Sequence, residues 1–304
     1  FKWSSVIFFF FYLFFLHSLT QPMNRIKGSL TLIRPDLSIA AGICVVTGQL
    51  LALGAPATLF QTIAGFFAVA LISAAILAIN DYFDVESDII NAPHRPIPSG
   101  MISKSEALIL FIILLSVGLF LSYLLNIVAF TAGIVLAITG FLYNWKLKRT
   151  GLPGNLMVSF SVGMTFIFGG ISVGLPFEKT VLFFGLLAAT LDLGEEISAD
   201  AMDLEGDKKI DSKSLAIKLG RTRALKISSY IFGFVILLTV IPFVLGWFRL
   251  PYLIPFLVMD GVIILSVFRL LHSKGDEGRN YIKWIYRSST GAILAFLIMR
   301  LAGL

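Results

Sequence analysis

Apolar residues fill nine long runs of this chain, and polar residues gather in the joints between the runs. A helix needs roughly 20 apolar residues to cross a bilayer, with all its backbone groups bonded internally. The pattern predicts helices at 36–54, 59–80, 105–123, 126–144, 154–174, 179–197, 223–246, 250–270 and 284–303. We therefore expect an all-α, polytopic membrane protein with about nine transmembrane helices in one bundle around a central cavity.

Another apolar run, at 3–16, precedes Met23. It is compatible with a signal-peptide core, a tenth helix, or translated sequence upstream of the native start. We favour the last interpretation. Residues 1–22 are therefore treated as an apolar extension, and 23–304 as a single transmembrane domain.

The composition supports a membrane protein. Of 304 residues, 57% are hydrophobic and only 14% are charged, whereas a soluble domain has about 25% charged residues. The net charge of +6 suits basic loops better than nucleic-acid binding. The only cysteine, Cys44, excludes an intrachain disulfide and a multi-cysteine metal site.

Basic residues predict how the bundle is oriented. Nine spans place 20 Lys and Arg residues in the joints on one side and 3 in those on the other. Cytoplasmic loops carry the excess of Lys and Arg in membrane proteins. We expect a multi-pass cell-membrane protein whose residues before the first span are cytoplasmic.

Acidic residues cluster at two predicted helix ends on this cytoplasmic side. The first cluster is Asn80, Asp81, Asp84 and Asp88, and the second is Asp200, Asp203 and Asp207. Spacings of three and four residues place the members of each cluster on one helix face, apart from Asp81. Like charges so placed repel unless a cation lies among them. Oxygen ligands suit Mg²⁺, whose shell substrate phosphates often complete, so the clusters predict a metal-bound diphosphate.

The segment NDYFDVESD at 80–88 reads NDxxDxxxD, and DLEGD at 203–207 reads DxxxD. Together they resemble the UbiA superfamily of intramembrane prenyltransferases, from about residue 25 to the end of the chain. The resemblance implies an enzyme that transfers an isoprenyl group from its diphosphate to a lipophilic acceptor. It also implies two Mg²⁺ ions, held by Asn80, Asp84, Asp88, Asp203 and Asp207.

The resemblance further implies that the diphosphate leaves and an allylic carbocation forms in a pocket shielded from water. Asp81 and Asp200 are candidates for orienting groups or for deprotonating the acceptor. Candidate substrate-binding residues are Arg34, Arg95, Tyr143, Lys146 and Lys148. The family typically places a Lys four residues after the Tyr, whereas Lys146 and Lys148 lie three and five after Tyr143, so either could bind the diphosphate. Asp192, Glu195 and Glu196 could line the acceptor pocket.

The motifs look most like the archaeal branch that adds a geranylgeranyl chain to geranylgeranylglyceryl phosphate in ether-lipid synthesis. That branch often has Arg and Lys just before the second motif, where this chain has GEEISAD at 194–200. The alternative acceptors are aromatic: a hydroxybenzoate, a naphthoate or a tetrapyrrole. An ion-coupled transporter is a remote alternative. Transporters place such carboxylates near the midplane of the membrane, whereas both clusters here lie at predicted helix ends on one side. We expect contact with membrane lipid, no nucleic acid and no obligatory protein partner.

Overall fold

The computed structural model describes residues 25–204 and 212–303, and none of these lies in a β-strand. The predicted all-α fold is confirmed. Residues 25–33 are helical. The helices that follow are α1 (Pro35–Leu53), α2 (Leu59–Asn91), α3 (Lys104–Leu125), α4 (Ile127–Leu142), α5 (Leu152–Ser172), α6 (Lys179–Met202), α7 (Leu215–Leu219), α8 (Arg221–Val244), α9 (Leu253–His272) and α10 (Gly278–Leu301). A π-helical turn, Tyr143–Leu147, extends α4, and 3₁₀ turns occupy Leu250–Tyr252 and Gly275–Glu277.

Seven helical segments in the described part of the chain are long and apolar enough to cross a membrane. The long helices α6 and α10 are outside this set. Helix α6 carries four acidic residues in its second half, and α10 carries four basic residues. The predicted number of nine spans is therefore not confirmed, although the multi-pass membrane fold is.

Small residues allow the helices around the centre of the bundle to approach closely. A Cβ atom on Gly48 of α1 would lie 2.2 Å from the Phe166 carbonyl oxygen of α5. On Gly169 of α5 it would lie 2.3 Å from the Val45 carbonyl oxygen of α1. Helices in lipid gain little from apolar burial alone, so such close backbone packing is a main source of their association.

Most helices pack against their neighbours in the chain, and α1 also packs against α5. Helix α10 returns to α1 and α6. The helices surround a partly open cavity of about 440 Å³, within the range of roughly 300–1,000 Å³ typical of ligand pockets. Its wall is mainly aliphatic, with Phe166, Phe184 and Phe256 among its aromatic residues.

Candidate active site

The first acidic motif lies within α2, because this helix continues to Asn91 and does not end near residue 80 as predicted. Asn80, Asp84 and Asp88 therefore recur every four residues on one helical face, one turn beyond the cavity-lining Ile76 and Leu77. Asp81 and Asp88 are buried, with 3% and 6% of their surface exposed. Buried carboxylates require partners, and basic side chains supply them.

Two arginines hold the carboxylates of α2. Arg34, just before α1, donates from Nη2 to Asp81 Oδ1 at 2.9 Å. Arg95 Nη1 lies 2.8 Å from Asp88 Oδ2 and 3.6 Å from Asp81 Oδ1. Burial opposes the charge of Arg95, but the hydrogen bond to Asp88 and the nearby carboxylates raise its pKa above the ordinary value. The guanidinium groups of Arg34 and Arg95 thus lie beside the motif, each paired with its carboxylates.

The π-helical turn brings Tyr143 and Lys148 together with α2. Its backbone hydrogen bond from Lys148 N to Tyr143 O, at 2.8 Å, spans five residues. An α-helical hydrogen bond spans four, so this turn contains one residue more than an α-helical turn does. Lys148 forms an ion pair with Asp84. Lys146 instead lies over the Trp145 ring, 6.0 Å from its centroid. The structure thus places Lys148, and not Lys146, at the motif.

Helix α6 supplies a second row of carboxylates, and α5 orients it. Asn155 Nδ2 donates to Asp200 Oδ2 at 2.9 Å, and Ser159 Oγ donates to Asp192 Oδ2 at 2.8 Å. Glu196 lies between these two acids on the same face of α6. The two rows lie near the same turn, since Glu196 and Asp200 of α6 and Asp84 of α2 are all within electrostatic range of Tyr143. Lys148 acts on Glu196 as well.

The end of α6 places Asp203 at the surface, where its side chain is 50% exposed and pairs with Arg279 of α10. The other predicted ligand on this side, Asp207, lies outside the described residues. Among the described residues, no group of three His, Cys, Asp or Glu side chains is close enough to hold a metal ion. The five predicted ligands therefore remain a prediction.

The donor set nevertheless fits Mg²⁺. Asn80 can turn its amide so that Nδ2 donates to Asp84 Oδ2 at 3.2 Å and its oxygen accepts from Lys148 Nζ at 3.2 Å. Without that turn, the amide oxygen of Asn80 occupies the position 3.2 Å from Asp84 Oδ2, so that two oxygen ligands lie side by side where a cation can bind both. All of these donors are oxygen atoms, which Mg²⁺ prefers, and a few carboxylates suffice because substrate oxygens complete its shell.

Sequence reasoning missed the residues that orient these ligands. Asn144 is buried and contacts the amide of Asn80, while its own amide donates to the Gly140 carbonyl oxygen at 3.0 Å. Asn155 and Ser159 have the same kind of role on α5. An Asn or Ser within an otherwise apolar run could have indicated these residues, because a buried polar side chain needs a hydrogen-bond partner. Between two other helices, Thr239 Oγ1 of α8 donates a hydrogen bond to Asp260 Oδ2 of α9 at 2.8 Å.

Residues 41–288 match the model of the UbiA prenyltransferase family. The chain belongs to the UbiA prenyltransferase family. It is therefore a prenyltransferase, as the two motifs predicted. Digeranylgeranylglyceryl phosphate synthase of Thermococcus kodakarensis is 34% identical, over 90% of this chain and 98% of that protein. The Methanocaldococcus jannaschii protein of the same name is 33% identical, over 91% and 97%.

Solved structures of the UbiA fold superpose on this chain. A digeranylgeranylglyceryl phosphate synthase in membranes is 32% identical, with a TM-score of 0.76, covering 91% of this chain and 99% of that one. A UbiA homologue from Archaeoglobus fulgidus bound to GPP and Mg²⁺ has a TM-score of 0.70 at 18% identity, covering 90% and 99%. That second likeness establishes the fold alone.

Proposed function

We propose that this enzyme transfers a geranylgeranyl group from its diphosphate to geranylgeranylglyceryl phosphate, forming the diether core of archaeal lipids. The observation that carries the proposal is the arrangement of the site: two rows of carboxylates, with basic side chains among them, at one end of a 440 Å³ apolar cavity. Similarity to synthases of this reaction over 90% or more of the chain supports the choice of acceptor over a hydroxybenzoate, naphthoate or tetrapyrrole.

The prenyl chain is proposed to lie in the cavity, with its diphosphate at the end near Asn80. Lys148 and Arg95 are suited to bind the diphosphate, because their positive charges lie at Asp84 and Asp88. Tyr143 is proposed to contact the same group, because it shares the π-helical turn with Lys148. The apolar wall of the cavity is proposed to keep water from the allylic cation and so to limit its hydrolysis.

Two Mg²⁺ ions are proposed to be held by Asn80, Asp84, Asp88, Asp203 and Asp207. When bound, Mg²⁺ supplies charge neutralisation for the departing diphosphate. Asp81, paired with Arg34 and Arg95, is proposed to fix these arginines in place. Asp200, whose carboxylate accepts a hydrogen bond from Asn155, is proposed to orient the acceptor.

We also propose that the site faces the cytoplasm. The support is the distribution of Lys and Arg that nine spans would give, with 20 on the side of the motifs and 3 on the other. Residues 23–304 are proposed to form one domain, and the family match at 41–288 lies within it. Isoprenyl diphosphate, a lipophilic acceptor and membrane lipid are the proposed partners.

The test uses purified enzyme with radiolabelled geranylgeranyl diphosphate and Mg²⁺. Geranylgeranylglyceryl phosphate and 4-hydroxybenzoate are offered in parallel, with EDTA controls. The proposal predicts label in a diether phosphate only, and only with metal. Label in the aromatic acid would keep the family and overturn the acceptor, and metal-independent transfer would overturn the proposed role of Mg²⁺.

A further inference from the structure

The cavity wall contains two carboxylates that the proposed diphosphate site does not use. Asp192 and Glu195 line the cavity, and no Lys, Arg or His from the described residues lines it with them. Asp192 has a partner, Ser159. Glu195 does not: its Oε1 atom is buried and has no hydrogen-bond partner among the described residues.

An unsatisfied carboxylate oxygen beside an apolar cavity is costly. Packing does not require it, since a Leu or Gln side chain occupies a similar volume without the charge. A ligand that donates a hydrogen bond from within the cavity would satisfy it.

We propose that Glu195 binds the hydroxyl group of the acceptor and takes its proton during transfer. This inference rests on the proposed function. The acceptor would be an alcohol whose uncharged hydroxyl group lies beside Glu195 in the cavity.

The step balances without another reactant. The bond between C1 of the prenyl chain and the diphosphate oxygen breaks, and its electron pair leaves with the diphosphate. The acceptor oxygen forms the new bond to C1 with a lone pair, and its proton passes to the Glu195 carboxylate. The products are an ether and diphosphate, and the proton is later released to solvent.

The test compares Glu195→Gln and Glu195→Leu with Asp260→Asn in nanodiscs. Asp260 is a matched control, since it too has a buried oxygen, Oδ1, without a partner among the described residues, yet it is not among the residues found to line the cavity. Both Glu195 variants should lower kcat/KM for geranylgeranylglyceryl phosphate at least about tenfold. The KM for geranylgeranyl diphosphate should stay within about twofold, and Asp260→Asn should change neither.

A thermal-shift measurement separates binding from turnover. A long-chain 1-O-alkylglycerol, an uncharged hydroxyl donor, should raise the Tm of the wild type more than its dimethyl ether does, and Glu195→Leu should abolish this difference. The inference would be overturned if the difference in Tm shift between the alkylglycerol and its dimethyl ether were the same in the wild type and in Glu195→Leu. It would also be overturned if the Glu195 variants lost kcat/KM equally for the acceptor and for geranylgeranyl diphosphate. Either result would leave the proposed function intact. A shift that depends on Glu195, in a wild type that makes no ether, would overturn the proposed function alone.

Discussion

Lys148 and Lys146 offer a matched test of the proposed diphosphate site, because they lie two residues apart and only Lys148 reaches Asp84. Lys148→Met removes one positive charge with little change in volume. The Lys148 side chain is 37% exposed, so its ion pair should contribute only about 0–1 kcal/mol to folding. A hydrogen bond from this charge to a diphosphate is worth about 1.5–3 kcal/mol, which is roughly 10- to 150-fold in rate.

The assay measures kcat/KM for geranylgeranyl diphosphate at saturating acceptor, together with Tm. Lys148→Met should lower kcat/KM by that factor and leave Tm within a few degrees. Lys146→Met should change neither, since its ammonium group lies over Trp145. Equal losses in the two variants would refute the argument, because they would indicate general attraction of an anionic substrate. An unchanged Lys148→Met enzyme would refute the assignment itself.

Three further predictions concern packing, the motifs and the metal. Gly48→Ala should lower the free energy of unfolding by about 1–3 kcal/mol, because its Cβ atom would lie 2.2 Å from the Phe166 carbonyl oxygen. Gly261→Ala is the control: its Cβ atom would have no other atom within 4 Å, so Tm should not fall. Asp84→Ala and Asp207→Ala should each abolish turnover while keeping a monodisperse folded yield near wild type in size-exclusion chromatography, and aggregation of both would indicate a structural role. EDTA should stop transfer and excess Mg²⁺ should restore it, whereas activity that survives chelation would contradict a metal site.

The sequence predicted the helices well because bilayer-spanning helices must be apolar over a nearly fixed length. Helix ends at the motifs were harder to predict. The second helix was expected to end near residue 80 and ends at Asn91. Charged residues marked the edge of the apolar run, but the helix continues because its carboxylates have basic partners elsewhere in the chain, such as Arg95.

The candidate ligands could be read from their spacing, since residues four apart share a helical face. The spacing could not, however, show whether Lys146 or Lys148 lies at the motif. That choice depends on a π-helical turn, whose backbone bonds span five residues, and the hydrophobic pattern does not report such a turn. π-Bulges are frequent at functional sites, and here the turn compensates for one additional residue between Tyr143 and Lys148.

Contacts between distant segments also lay beyond the sequence. Arg34 and Asp81 are 47 residues apart, and Asn155 and Asp200 are 45 apart. Neither pair has a spacing that predicts contact, because such contacts arise only when the helices pack. The cavity wall is a similar case: Glu195 was noted as a possible pocket residue, but its unpaired oxygen is visible only in three dimensions.

The prenyl diphosphate is proposed to bind at the end of the cavity between the carboxylates of α2 and α6. The most direct test is a crystal structure with Mn²⁺ and a non-cleavable thiol analogue of geranylgeranyl diphosphate, with data collected at the manganese edge. Binding at this place predicts anomalous density beside Asn80 and Asp84, diphosphate density at Lys148 and Arg95, and the prenyl chain inside the 440 Å³ cavity. Manganese away from both acidic motifs, or a prenyl chain on the outer surface of the bundle, would contradict it.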